Sequence, residues 1–389
     1  MHILVTSPIP SHPQNHGNRA RVTALCKALQ ALGAEIHYIY GGLEQLSDQQ
    51  ELEMREAWDH VHILPPYRME DRNKSHRKHH LLDDWYVDAV TGLTQRIVDT
   101  WRIDYCIANY VWFSKWLETV PADIPKYIDT HDLFGGRHKR LRADGLPESW
   151  FSTTKQEEAK GFTRADTVIA IQSEEANLMR SMTKSPVVTL GHFITPDFLP
   201  PTDVQSSLQN GNKITVGYMA SDNPINQQSL VEMDSAIGRR SDVLEHFEFR
   251  LAGSICSAAC ARNTQFQKLG FVPDARSFYT ATDVIINPNI GGTGLKIKSI
   301  EAAAYGKALV ATADAMAGIE SRYPAHALAD ADAIVDFLAS MNPAEAIGDG
   351  EKASKALVEN YVADQSAAMQ TLFPKLFGHE DQQPASNGS

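Results

Sequence analysis

The sequence predicts an α/β protein of two doubly wound parallel sheets facing a central cleft, and three observations carry that expectation. The chain has 389 residues, more than a single hydrophobic core supports. Strand-like apolar runs alternate with helix-length stretches along most of it, the pattern of parallel sheets with crossover helices. The alternation breaks once, at 195–213, where TPDFLPPTDVQSSLQNGNK combines three prolines with an Asn-Gly. This passage reads as the interdomain linker. The expected division is a first domain over 1–198 and a second over 199–355. A C-terminal helix over 356–378, able to return to the first domain, and a disordered polar tail over 379–389 complete it.

In the first domain, residues 2–6 read as a strand that leads through a Pro/Gly loop to Gly17. A helix follows from about Asn18 to Leu32, with Val22, Leu25, Leu29 and Leu32 on one face, and Gly33 stops it. Further strands are expected at 36–39, 60–64, 104–108, 126–129, 168–171 and 187–190, with helices at 85–101 and 155–164. Ser173 is the expected cap of the next helix, with Glu174 and Glu175 suiting its first turn. Strands of the second domain are expected at 214–219, 247–253, 270–272, 283–287 and 308–312. A late amphipathic helix covers 356–377, interrupted near Pro374. Trp101, Trp112 and Trp116 read as packing residues of the first domain.

Composition narrows the function. A hydrophobic content of 43% and a charged content of 22% are ordinary for a soluble globular chain. No apolar run is long enough to span a membrane. The start, Met-His-Ile-Leu-Val-Thr, lacks a basic leader and reads as a first strand. Four cysteines give no disulfide framework, which suits a reducing cytoplasm. A net charge of −12 argues against nucleic acid as the partner. Two basic passages stand out, RMEDRNKSHRKHH at 68–80 and GGRHKRLR at 135–142. They read either as solvated loops or as a patch toward a phosphorylated or membrane-bound acceptor, with the protein peripheral at the inner membrane face. No metal site is expected. Cys256 and Cys260 have no second ligand pair, and His76, His79 and His80 read as part of a basic loop.

The most informative passage is 287–312, NPNIGGTGLKIKSIEAAAYGKALVAT. It reads as strand, glycine-rich turn, helix, strand, which opens the turn at the carboxyl edge of a parallel sheet, where ligands bind. Gly291, Gly292 and Gly294 let backbone N–H groups converge, and a helix starting near Leu295 adds partial positive charge. Together they suit a diphosphate. Lys296 and Lys298 add cations. Glu301, about two turns into that helix, has the chemistry to accept hydrogen bonds from vicinal ribose hydroxyls. The fingerprints of dinucleotide-binding and P-loop turns are both missing.

This passage resembles the donor-nucleotide motif of family-4-like GT-B glycosyltransferases, a Gly-rich turn followed by K-x-x-E-A-x-A-x-G-x-x-V-V/A-x-T. Here that motif is Lys298-Ser-Ile-Glu301 through Gly306 to Val310-Ala-Thr312. The resemblance extends sparsely to Pro8, Gly17 and Arg21, to Ile128-Asp-Thr-His-Asp132, to 165–171, to Leu251-Ala-Gly-Ser254 and to Gly270-Phe-Val-Pro273. It implies a GT-B fold and a probe-able activity: transfer of a sugar from a nucleotide-diphosphate-sugar, UDP or GDP first, to a glycan, lipid-linked or small-molecule acceptor. Retention of configuration is implied with it; metal is expected to be dispensable, because helix and lysine charges can stabilise the departing diphosphate, and no cofactor is expected. Glu301 then holds the ribose. Backbone near Leu295 and Ile297, with Gly17, faces the diphosphate, and Val272 lies near the base. Gly292, Thr293, Gly294 and Lys296 complete the donor set. His131, Asp132 and Lys298 are the expected catalytic residues.

Two departures bear on mechanism. Thr293 stands eight positions before Glu301, where many members carry a second glutamate. The usual Arg/Lys pair after the second domain's first strand is missing from Gly217 to Asn226, a gap that Lys296 and Lys298 can fill. Two rivals on the same fold are a nucleotide-sugar 2-epimerase and a non-catalytic nucleotide-sugar-binding subunit.

Overall fold

A computed structural model describes residues 1–14, 16–68, 74–76, 78–143, 150–291 and 294–378. The expected tail at 379–389, most of the basic passage's first half (69–73) and Arg77 lie outside the described residues. So do Gly292 and Thr293. The chain forms two compact units, Met1–Phe193 with the segment from Asp364, and Ile194–Ala363.

The first unit holds β1 (His2–Ser7), α1 (Gly17–Ala31), β2 (Glu35–Tyr40), α2 (Asp48–Ala57), β3 (His60–Ile63), α3 (Ala89–Thr100) and β4 (Ile103–Asn109). Next come β5 (Lys126–Asp129), α4 (Arg137–Ala143), α5 (Lys155–Phe162), β6 (Thr167–Ala170), α6 (Ser173–Arg180) and β7 (Val187–Thr189). The strands are parallel and ordered β3-β2-β1-β4-β5-β6-β7. Ile3 and Val5 pack into one core cluster and Leu4 into another, so both faces of the central strand are covered. That explains why β1 is apolar at successive positions instead of alternating. Trp112 and Trp116 are fully buried, as the sequence suggests, whereas Trp101 is part-exposed.

The second unit holds α7 (Val204–Gln209), β8 (Ile214–Met219), α8 (Pro224–Arg239), α9 (Val243–His246), β9 (Phe247–Ala252), β10 (Gln267–Gly270) and α10 (Ala275–Thr280). It continues with β11 (Val284–Asn287), α11 (Ile297–Ala304), β12 (Ala308–Ala311) and α12 (Ala331–Ser340). Its parallel order is β10-β9-β8-β11-β12. Helix α13 (Pro343–Leu372) starts here and ends in the first unit, where α14 (Pro374–Phe377) follows. Within the first unit, Gln365 accepts from the Gly191 amide at 2.5 Å, and Tyr127 donates its hydroxyl proton to the Leu372 carbonyl.

Both strand orders reverse direction once, between β1 and β4 and between β8 and β11. Such switch points leave a crevice at the carboxyl ends of the flanking strands.

Several local expectations change. Ser173 is the first helical residue of α6, and Gln172 is its cap, accepting from the amides of Glu174 and Glu175. A glutamine can reach a first-turn amide as serine does, but its low cap preference hides it. The strand expected at 270–272 is β10, ending at Gly270, whose φ of 76° turns the chain away and leaves Phe271 74% exposed. The linker passage contains α7, capped by Asp203. The late helix begins at Pro343, a residue that suits a first helical turn.

Candidate functional site

In the second unit, the switch point is built around the turn between β11 and α11. Asn287 ends β11, and its side-chain amide donates to Ser299 Oγ at 2.7 Å. Ser299 in turn donates to the Ala315 carbonyl at 2.7 Å, so the base of the turn is tied to the helix and to the loop after β12. The Gly291 amide donates to Asp314 Oδ2 at 2.7 Å. Gly291 and Gly294 have φ of 71° and 75°, left-handed values that side chains disfavour. Helix α11 starts at Ile297, later than the expected Leu295, which is buried. Its cap position is Lys296, which gives no side-chain cap, and its first turn has no acid. Glu301 therefore lies just over one turn into the helix, not two.

Glu301 is mostly buried, and its Oε2 takes a 2.7 Å hydrogen bond from Lys298 Nζ. Among the described residues its other oxygen receives no hydrogen bond, so lone pairs remain for ligand hydroxyls. Its charge and burial together hold the hydroxyls of the stacked Tyr279 and Tyr305 protonated; burial is the larger cause. Lys298 Nζ also lies 3.5 Å from Met219 Sδ, which places its charge at the end of β8. The loop after β8 closes on itself without cations. Asn223 caps α8, Asn226 donates to the Ser221 carbonyl at 2.8 Å, and the Asp222 amide donates to Ser254 Oγ at 2.8 Å. Lys296 bonds the Gly294 carbonyl at 3.3 Å. Val272 is partly exposed after β10. Phe271 beside it presents an exposed ring that the sequence reading passed over because it was assigned to a strand.

In the first unit, β4 and β5 deliver their next residues to the carboxyl edge of the sheet. Tyr110 and His131 both adopt left-handed backbone, with φ of 70° and 58°. Such conformations cost on the order of 1–3 kcal/mol each and persist where surroundings impose them. The two rings stack at 4.3 Å and 17°. His131 Nε2 lies 2.8 Å from Asn109 Oδ1. The Asn109 amide nitrogen donates to the Thr6 carbonyl at 2.9 Å, so its oxygen faces the imidazole and Nε2 carries the proton. Burial pushes the His131 pKa down to about 4, and the ring is neutral at physiological pH. Nδ1 is then an acceptor, with no partner among the described residues.

The carboxylate beside His131 is Asp129, 3.3 Å from Nε2, and not the expected Asp132. Asp132 bonds the Leu133 amide at 2.8 Å and faces Arg137 at 3.3 Å. Asp129 takes two contacts from Arg21 Nε, at 3.0 and 2.9 Å, while the same guanidinium donates to the carbonyls of Leu190 and Gly191. Below the following loop, buried Glu158 accepts from the amides of Phe134 and Gly135, each at 2.7 Å. Burial pushes its pKa up to about 7 against the pull of those two donors. Gly17 is the exposed first residue of α1, whose cap residue His16 gives no side-chain cap. In the basic passage at 135–142, Arg137 faces Asp132 and Arg140 donates to the carbonyls of Leu133 and Gly135. Those two cations are engaged within their own loop.

Sequence reasoning missed Asn109, Tyr110 and Asp129 as companions of His131. Only Asp129 left a signal, by standing two positions before it in the quoted loop. It also missed the convergence of His2, His37 and His60 at the opposite edge of the first sheet.

Residues 213–342 match the family described as Glycosyl transferases group 1, a stretch that includes every strand of the second sheet. The whole chain has the GT-B fold. It is similar to HepE of Anabaena, solved with UDP and glucose, at 14% identity over 96% of this chain and 99% of that one, with a TM-score of 0.61. Sucrose-phosphate synthase of Thermosynechococcus elongatus is similar at 15% identity over 97% and 99%, with a TM-score of 0.65. A glycosyltransferase of Rickettsia africae is similar at 14% identity over 97% and 99%, with a TM-score of 0.63. No curated protein sequence matches significantly. Among the described residues, no helix is long and apolar enough to cross a membrane.

Proposed function

We propose that the chain is a glycosyltransferase that moves a sugar from a nucleotide-diphosphate-sugar to a hydroxyl acceptor. The observation that carries this reading is the Lys298–Glu301 pair on α11, set behind a left-handed glycine turn at the switch point of the second sheet. Glu301 accepts the ribose hydroxyls. Uncapped amides at the start of α11, with Lys296 and Lys298, take the diphosphate and stabilise the charge that develops on it as the glycosidic bond breaks. That charge set removes the need for a metal at the transfer step. His131, neutral and held by Asn109, accepts a hydrogen bond from a sugar hydroxyl through Nδ1. Retention of configuration is part of the proposal, as is an acceptor that is a glycan, lipid-linked or a small molecule. HepE was solved with UDP, which makes UDP-sugars the first donors to try.

The test is release of nucleoside diphosphate from a panel of UDP- and GDP-sugars, with EDTA present, with and without candidate acceptors. Acceptor-dependent release with a new glycoside is the expected result. Conversion of donor without acceptor makes the chain an epimerase, and donor binding without any turnover makes it a binding subunit.

A further inference from the structure

The amino ends of β1, β2 and β3 bring three histidines and a carboxylate together on one face of the first sheet. Strand register does this. His2 pairs with Glu35 and His37 with His60, while Glu35 and His37, two apart on β2, share a face. His2 Nδ1 lies 3.1 Å from His37 Nε2. Glu35 Oε2 lies 3.6 Å from His2 Nδ1 and 3.6 Å from His60 Nε2. One ring nitrogen from each histidine falls within 4.8 Å of the others. A tetrahedral ion with bonds of about 2.0–2.1 Å separates its donor atoms by about 3.3 Å, so these spacings need only small side-chain adjustments to close on one.

A second observation points the same way. His60 Nε2 is buried and has no hydrogen-bond partner, although a buried polar atom normally finds one. His37 is wholly buried. The surroundings hold the donors in place. Asp104 accepts from the His2 amide at 3.0 Å, Asp59 accepts from the Ile36 amide at 2.8 Å, and the Trp101 ring lies 4.7–5.1 Å from the three imidazoles.

We propose that His2, His37 and His60, with Glu35 as fourth donor, form a site for a zinc-class divalent ion that ties the amino ends of the three strands together. Three imidazoles and one carboxylate suit zinc or cobalt, and poorly suit calcium or magnesium, which prefer oxygen donors. Four protein donors close the coordination shell, the arrangement of a structural site. β1 has six residues, so the site lies about 20 Å along the strands from the carboxyl-edge loops that carry the candidate chemistry. β3, the outer strand, is only half-buried along its length and gains most from the tie.

The experiment uses the full chain without a polyhistidine tag, stripped with EDTA, dialysed, and titrated with cobalt(II) and then zinc(II). One equivalent of cobalt should bind with the intense visible absorption of four-coordinate cobalt, and zinc should displace it. Zinc should also slow amide exchange in residues 60–63. His60→Ala and His2→Ala should each weaken binding at least about 100-fold, beyond the loss typical of removing an outer-shell partner. Should His60→Ala fail to fold, Glu35→Ala, at an exposed side chain, carries the same spectroscopic readout. Absence of stoichiometric binding, or binding that these substitutions leave unchanged, overturns the proposal.

Discussion

The two carboxyl-edge regions carry ionic groups of similar kind in opposite settings. Around His131 everything is buried and cross-braced. Arg21 and Asp129 have side chains 3% and 0% exposed, and the imidazole has its proton assigned by a chain of hydrogen bonds reaching Thr6. Around Glu301 the partner cation, Lys298, is 44% exposed, and the turn ahead of it relies on glycine conformations. The first region is braced by its own hydrogen bonds and ion pair. The second leaves hydrogen-bonding capacity open. A preorganised group suits chemistry, and an unfilled one suits binding.

The largest effect belongs to Arg21→Met. It leaves Asp129 buried without its counter-charge, a loss of about 3–5 kcal/mol. Thermal unfolding should show a fall on the order of 10 °C for a unit of this size. A near-normal melting temperature would mean that the first region is not locked by this pair.

His131→Ala should lower turnover by about 10²–10³, the scale for one group that bonds the transition state. Nucleoside diphosphate affinity should stay close to wild type. If turnover, affinity and melting temperature fall together, the histidine is a packing residue and the distinction between the regions loses its catalytic half.

Glu301→Ala should weaken nucleotide binding by about 1.5–3 kcal/mol, the range for hydrogen bonds to a charged group, as read by calorimetry. Lys298→Met supplies the contrast with Arg21. Its ion pair with Glu301, in which the lysine is exposed, should add no more than about 1 kcal/mol to ligand-free stability. A large drop in melting temperature from Lys298→Met would erase the difference in burial that separates the regions.

Acid should act first on the buried histidines. Their pKa values are depressed by burial to about 4 in His131, His37 and His326. Stability they contribute is present above about pH 6.5 and is lost as pH falls toward 4. Glu158, raised to about 7, works the other way, with stability lost as pH rises from about 4.5 to 7. Melting temperature against pH should therefore fall more steeply on the acid side in Glu158→Gln and less steeply in His131→Gln.

Much of the second region was legible because its chemistry is local. Gly291, Gly294, Lys298 and Glu301 sit within one short passage whose turn and helix fix their neighbourhood. The first region is assembled from afar. Arg21 and Asp129 are 108 residues apart, and His131 is 22 from Asn109, so only the parallel register of β1, β4 and β5 unites them. His2, His37 and His60 were invisible for the same reason. Asp132 was expected in the catalytic set, and the carboxylate that the structure sets beside the imidazole is Asp129, because adjacency in sequence says nothing of which way a left-handed backbone turns the chain. The earlier-lying β10 and the glutamine cap of α6 were misread where Phe271 and Ser173 had the commoner residue types for strand and cap.

The central claim is that the second unit holds a nucleoside diphosphate through Glu301. Melting curves of wild type and Glu301→Ala with UDP, GDP, ADP and TDP, and with their sugars, test it most directly. At a ligand concentration about 100 times the dissociation constant, binding adds about 2.7 kcal/mol of stability. At least one nucleoside diphosphate should raise the wild-type melting temperature, and the rise should largely disappear in the variant while the ligand-free curves coincide. No shift with any of them, or an equal shift in both proteins, would contradict it.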